Sequence, residues 1–250
     1  MIEVRNIHKS FGENHVLHDI SLKFSQGKTN LIIGQSGSGK TVLLKTIIGL
    51  HYPTKGCILY DDRNFSKMSH AKKKEIRKEI GMVFQGGALF GSDTVLENVM
   101  FPLKMFSSMS DKEMIDRAEF CLERVNLTNV GHLYPSETSG GMQKRISIAR
   151  AIVMKPKYLF FDEPNSGLDP KTAIVIDNLI KELTEDLNTV TVINTHDMNS
   201  VAEIGDFIHF IYKGRKWWTG NKSEIFETDN KELNDFVFAT ELMRKIKSVK

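Results

Sequence analysis

The sequence holds only two cysteines in 250 residues, and Cys57 and Cys121 stand too far apart to share a metal-ligand spacing. That scarcity excludes a disulfide-stapled scaffold and a thiolate zinc site, and fits two small apolar fillers in a reduced compartment. No apolar run approaches the ~20 residues that a membrane-spanning helix needs. The opening stretch, MIEVRNIHKSFG, lacks the apolar core of a signal peptide. Any membrane role is therefore expected to come through a partner. A dominant charge sign is missing as well: 34 basic and 31 acidic residues leave a formal charge of +3, which singles out neither nucleic acid nor an anionic surface. Internal repeats, low-complexity linkers and long heptad segments are also absent, so any lobes are read as subdomains of one unit rather than independent domains.

What is present is 40% hydrophobic and 26% charged composition, that of an ordinary globular chain. Residues 2–7 and 20–24 alternate apolar with polar, and 57–60 follow the turn-like Pro53, Thr54, Lys55 and Gly56. They predict an N-terminal antiparallel β subdomain. Residues 30–33, 81–84, 158–161 and 189–194 are short apolar runs, as in parallel strands buried on both faces. They alternate with helical patterns over 40–50 and 172–188, which makes the fold class α/β with a parallel-sheet core. The middle, about 86–153, reads as a helical subdomain with helices over 94–106, 111–125 and 139–154, and Ser110 with Glu113 forms a capping-box pattern. The reading divides the chain into one main domain over 1–221 and a C-terminal extension over 222–250 that carries Phe236, Val237, Phe238, Leu242 and Met243.

Gly34 to Thr41, GQSGSGKT, fits the P-loop pattern and lies between a predicted strand and a predicted helix, the context that confirms such a match. Gly37 and Gly39 free the backbone to curl, so that the successive amides of a loop containing Gly34, Ser36, Gly37, Ser38 and Gly39 face an anion at the positive end of the following helix. Lys40 is placed to reach the β and γ phosphates of ATP, and the Thr41 hydroxyl to ligate Mg²⁺. Downstream, YLFFDEP is an apolar strand ending in Asp162, suited to the Mg²⁺ shell, with Glu163 beside it as candidate base. Together these motifs predict a nucleotide triphosphatase.

Ser139, Gly140 and Gly141, followed by Met142, Gln143, Lys144 and Arg145, resemble the signature motif of ATP-binding cassette (ABC) proteins. The order of the remaining motifs agrees: Ser166, Gly167, Leu168 and Asp169 resemble the D-loop, and Thr195, His196 and Asp197 the segment of the switch histidine. The resemblance covers nearly the whole chain and implies further roles. Gln85 corresponds to the Q-loop glutamine that touches Mg²⁺, Phe11 to the aromatic that stacks on adenine, and His196 to a catalytic histidine beside Glu163. It also implies a head-to-tail dimer in which Ser139, Gly140 and Gly141 of one copy complete the ATP site of the other. The commonest signature reads LSGGQ, whereas here Thr138 replaces leucine, Met142 replaces glutamine, and Gln143 comes one position late.

A cassette without fused membrane helices resembles those that dock onto separate integral membrane permease subunits, peripheral to the cytoplasmic side of the inner membrane. Residues 84–103, FQGGALFGSDTVLENVMFPL, together with SGGM, look most like the ATPases of the maintenance-of-lipid-asymmetry (Mla) group. That likeness implies phospholipid transport across a Gram-negative envelope, with an MCE lipid-binding protein in the complex and no nucleic acid partner. A methionine or other polar-solute importer is the alternative, and an ABC ATPase of DNA repair or translation is a weaker one. Ala88, Leu89 and Phe90 are candidates for the permease contact, and Lys72, Lys73, Lys74, Arg77 and Lys78 form a basic helical stretch that is either solvated or faces headgroups.

Overall fold

Alternating side chains build one sheet and continuous apolar runs build the other, and the phosphate-binding loop lies between them. The computed structural model describes residues 1–239. Strands β1 (Ile2–Phe11) and β2 (Asn14–Phe24) form an antiparallel hairpin. It is longer at its turn end than the apolar alternation predicts, because Lys9, Ser10 and His15 are polar there yet paired in the ladder. After β3 (Lys28–Ile33) and helix α1 (Lys40–Ile47) come β4 (Lys55–Tyr60) and the short β5 (Arg63–Asn64). The first sheet has the order β2-β1-β4-β5. Its inward residues Ile2, Val4, Ile7, Leu17, Ile20 and Phe24 join Leu43, Leu44 and Ile47 of α1 in one buried cluster.

The second sheet adds β6 (Ile80–Val83), β7 (Tyr158–Asp162), β8 (Val190–Asn194), β9 (Phe207–Tyr212) and β10 (Arg215–Gly220) to β3, in the order β10-β9-β3-β8-β7-β6. Every pair is parallel except the antiparallel edge hairpin of β9 and β10. Those last two strands are absent from the sequence reading. His209 interrupts the apolar run of β9, and the edge strand β10, RKWWTG, has no period-2 pattern because none of its residues is buried and its register shifts between Lys216 and Trp218.

The helices are α2 (His70–Lys78), α3 (Val95–Phe106), α4 (Asp111–Arg124), α5 (Gly140–Ile152), α6 (Pro170–Asp186), α7 (Met198–Ile204) and α8 (Lys231–Val237). Capping boxes start α3 (Thr94 with Glu97) and α4 (Ser110 with Glu113), and each satisfies two amides that would otherwise lack partners. α6 opens two residues earlier than its apolar pattern, with Asp169 as cap and Pro170 in the first turn. α3, α4 and α5 close on Val99, Leu103, Ala118, Cys121, Ile146 and Ala149, which forms the expected helical insertion. Burial pushes the Cys121 thiol up to about 11, so it is a filler rather than a reactive group.

Within the basic stretch, Lys73 is buried and its Nζ lies 4.7 Å from the centre of the Tyr52 ring, while Lys72 and Lys74 are exposed. Beyond residue 221, Ile225, Leu233 and Val237 are buried in the same cluster as Phe210, and the Phe236 ring lies 5.5 Å from that of Phe210. Leu242 and Met243 lie outside the described residues.

Candidate functional site

Parallel strands deliver side chains at their carboxyl ends, and here β3, β6, β7 and β8 all point the same way, so the segments that follow them meet at one rim. Register fixes the match: Asp162 on β7 lies opposite Asn194 on β8, and Asn194 lies opposite Ile32 on β3, two residues before the loop that starts at Gly34. A cleft of about 1060 Å³ opens there, lined by Gln35, Ser36, Gly37 and Gly39, by the start of α1 and by Gln85, Glu163, Ser166 and His196, among others.

The loop from Gly34 leads into α1, whose first residue is Lys40. Gly37 (φ 78°) and Gly39 (φ 101°) are left-handed, the conformation glycine adopts without strain. A Cβ on Gly39 would lie 2.9 Å from Leu17, whereas one on Gly37 would meet nothing, so Gly37 faces open space. Lys40 is buried, and its Nζ donates to the carbonyls of Gly34 at 2.8 Å and Gln35 at 3.1 Å. Burial lowers its pKa, against the attraction of Glu163 and Asp162. The Thr41 hydroxyl donates to Asp162 Oδ1 at 3.3 Å.

At the end of β7 the backbone turns sharply. Glu163 has φ 51°, an uncommon left-handed conformation for a side-chain-bearing residue, held by its amide donating to Asn194 O at 2.8 Å. The turn sends adjacent carboxylates to different places: Asp162 inward to Thr41, and Glu163 into the cleft, where Oε2 lies 2.8 Å from His196 Nδ1. Gln85, two residues past β6, donates from Nε2 to Ser166 Oγ at 3.1 Å, which joins the post-β6 and post-β7 loops. Phe11 sits on the β1–β2 hairpin with its ring 5.2 Å from His51 and 4.5 Å from Lys9 Nζ. It is 44% exposed and outside the cleft lining, which takes Val16 from the same hairpin.

The signature residues lie apart from this cleft. Ser139 caps α5, its hydroxyl accepting from the Met142 amide at 3.3 Å, and Gly140 and Gly141 form the first turn. Ser139 and Gly140 are exposed, so the amides at this helix end face outward. None of the three lines the cleft. The shifted glutamine is accounted for: Met142 packs on the helical core, and Gln143 Nε2 donates to Pro135 O at 2.9 Å and Thr138 O at 3.3 Å. Both side chains hold their own subunit together.

The donor set fits a magnesium-bound nucleoside triphosphate. Left-handed Gly37 and Gly39 bend the loop at the foot of α1, Ser38 Oγ is buried without a partner, and Thr41, Asp162 and Gln85 offer the hard oxygen ligands that Mg²⁺ takes alongside phosphate. No cluster of three or more His, Cys, Asp or Glu residues that could hold a metal occurs among the described residues.

The ABC transporter family model matches residues 17–166, a span that contains the loop, Gln85, the signature and the Asp162–Glu163 pair. This chain belongs to the ABC transporter family. It is similar to the intermembrane phospholipid transport system ATP-binding protein MlaF of Haemophilus influenzae, at 35% identity over 95% of this chain and 90% of that one. It is similar also to the methionine import ATP-binding protein MetN 1 of Rhodococcus jostii, at 38% identity over 93% of this chain and 70% of that one. Among solved structures, the ATP-binding cassette MJ0796 in a dimeric post-hydrolysis state with ADP and Pi matches with a TM-score of 0.81 at 33% identity, covering 89% of this chain and 99% of that chain. The chain is thus an ATP-binding ABC transporter ATPase with the fold read from its sequence. No helix among the described residues is long and apolar enough to cross a membrane.

Three residues of this ABC ATPase escape a motif-based reading. Asn194 Nδ2 donates to Asp162 Oδ1 at 2.5 Å and Thr41 Oγ1 at 3.3 Å, pinning the carboxylate. The signal for it is a polar residue closing the otherwise apolar strand VTVIN. Asn165 Nδ2 donates to Asp177 Oδ1 at 2.9 Å and Ser200 Oγ at 3.0 Å, joining the post-β7 loop to α6 and α7. Asp177 is 2% exposed, and burial pushes its carboxyl up to about 6, with Asp197 and Glu203 adding to the rise. Nothing in local sequence marks it, because its partners are distant in the chain.

Proposed function

We propose that this ABC ATPase drives phospholipid movement across a cell envelope, as a dimer docked beneath integral membrane permease subunits. The observation that carries the docking part is an exposed apolar face beside the Q-loop. Phe90 and Phe101 are 41% and 37% exposed with ring centroids 4.8 Å apart, and Met105, Phe106 and Met109 continue the face along and beyond α3. An exposed apolar surface of that kind supports a partner contact. The cargo part is supported by the similarity to MlaF and by residues 87–90 with Met142, where this chain looks like the Mla group. An MCE lipid-binding protein belongs to the proposed assembly on the same likeness. Methionine import is the second reading, favoured by the equally close similarity to MetN.

In this proposal the backbone of 34–39 and the Ser38 hydroxyl cradle the phosphates, and Lys40 exchanges its carbonyl partners for the β and γ oxygens. Thr41, Asp162 and Gln85 hold Mg²⁺, which when bound offsets the phosphate charge. Glu163 accepts a proton from the attacking water while His196 orients it, and Phe11 covers the adenine. Ser139, Gly140 and Gly141 of a second copy supply the remaining anion contacts. Their absence from the cleft of a single chain supports a site that needs two copies, as does the dimeric state of MJ0796.

The cargo is tested by purifying the chain together with the products of neighbouring genes and measuring what co-purifies and stimulates turnover. Bound phospholipid with lipid-dependent ATPase activity that Glu163→Gln abolishes is expected. Stimulation by methionine and its binding protein alone would replace the lipid reading with import.

A further inference from the structure

The face of α5 turned toward the post-β6 segment carries Lys144, Ser147 and Arg150, spaced so that they stack on one side of the helix. Each meets a backbone carbonyl of that segment. Lys144 Nζ donates to Gln85 O. Arg150 donates from Nη2 to Gly87 O at 2.6 Å and from Nη1 to Ala88 O at 2.8 Å. The Ser147 hydroxyl lies between Gly87 O at 3.2 Å and Gln143 O at 2.8 Å. The receiving backbone is bent to suit: Gly87 (φ 72°) and Ala88 (φ 49°) are consecutive left-handed residues. A Cβ on Gly87 would come within 2.8 Å of Ser147 Oγ, so the two segments are in close contact.

Two cations are committed here to carbonyls rather than to acids. Lys144 is 7% exposed, and burial lowers the pKa of both Lys144 and Arg150. Among the described residues neither has a carboxylate at ion-pair distance, and Asp162 and Glu163 act on Lys144 only through space. An apolar side chain would fill such a position without that desolvation cost. A charge-assisted bond to a carbonyl instead fixes the place of the backbone that receives it.

We propose that Lys144 is a positioning residue that sets the main chain of Gln85, with Ser147 and Arg150 gripping the next turn, so that the Q-loop and the signature end of α5 move as one body. The inference rests on the assignment above of Gln85 to Mg²⁺ and of Ser139 to the partner's nucleotide. Under that assignment, α5 links the two ATP sites of a dimer: a shift of Gln85 at one subunit's own site moves the Ser139 that faces the other.

The test uses the full chain with Lys144→Met, Lys144→Arg and Gly87→Ala, reading ATPase activity against ATP and against Mg²⁺. Lys144→Met is expected to lower kcat by about tenfold or more while a fluorescent ATP analogue binds within about twofold of wild type. The Mg²⁺ half-saturation rises and the Hill coefficient for ATP falls toward one. Lys144→Arg, which keeps the donor charge, restores kcat to within about threefold. Gly87→Ala, which pushes against Ser147, reproduces the Lys144→Met split and keeps the question open to answer if Lys144→Met folds poorly. Wild-type kcat, Mg²⁺ dependence and Hill coefficient in Lys144→Met and Gly87→Ala would overturn the grip alone. Equal loss of kcat and thermal stability in both Lys144 variants would reduce it to packing. A Mg²⁺ half-saturation unmoved by Gln85→Ala would overturn the site assignment and the grip with it.

Discussion

At the scale of single residues, the site depends on two neighbouring carboxylates being treated differently. Asp162 ends a strand and is clasped by Thr41 and Asn194, while Glu163 is turned by a left-handed backbone toward His196. Replacing Glu163 by Gln keeps size and hydrogen bonding but removes the carboxylate proposed above as the base. Turnover is expected to drop by roughly 10²–10⁴-fold with ATP binding retained, as measured by phosphate release and nucleotide titration. Two buried groups outside the reacting centre set the acid stability with opposite signs. His209 is held neutral down to about 4 by burial, with Lys216 adding to the depression. The unfolded chain takes up that proton near 6.5, so stability is full above about 6.5 and declines by about 3 kcal/mol as pH falls toward 4. Asp177 keeps its proton up to about 6, above its unfolded value, so it contributes stability that is complete below about 4 and lost as pH rises through 6. Chemical denaturation between pH 4 and 7 is expected to show a flatter acid decline in His209→Leu and a steeper one in Asp177→Asn.

At the scale of elements, legibility in the sequence followed the range of the forces involved. The P-loop, the Asp162–Glu163 strand end and the Ser110–Glu113 cap are written within a few residues, and periodicity and local hydrogen bonding suffice to read them. β9 and β10 are not local in this sense: the first breaks its apolar run with His209, whose Nδ1 lies 3.1 Å from Thr219 Oγ1 on the second, and only the pairing explains the histidine. The same holds for Asn98 on α3. It is fully buried, accepts from the Phe90 amide at 2.8 Å, and donates to the carbonyls of Phe90, Asp93 and Thr94. That one side chain shapes the loop that presents Phe90. Asn98→Ala removes these side-chain bonds, including the one to the Phe90 amide, while Thr94 O and Phe90 O keep their backbone donors, and is expected to cost about 2 kcal/mol, seen as a lower denaturation midpoint at unchanged m-value.

At the scale of the whole molecule, the sequence separates what one chain contains from what it lacks. A single copy brings together the loop, Gln85, Glu163 and His196 around one cleft, with Asp162 behind Thr41, while none of Ser139, Gly140 and Gly141 lines it and the first two are exposed. The signature's departure from its commonest form is absorbed inside the subunit, with Met142 packed against the core and Gln143 bonded to the backbone, so neither substitution alters the exposed Ser139 and Gly140. A half-site of this kind is expected to close only when two copies share nucleotide, and the shared ATP adds to dimer stability by mass action. The most direct measurement is the molecular mass in solution of the Glu163→Gln chain with ATP and Mg²⁺, with and without Ser139→Arg. A monomer that becomes a dimer on adding ATP, and remains a monomer when Ser139 is replaced by the larger side chain, is the predicted result. An ATP-dependent dimer that forms equally well with Ser139→Arg, or full turnover by a strictly monomeric chain, would contradict it.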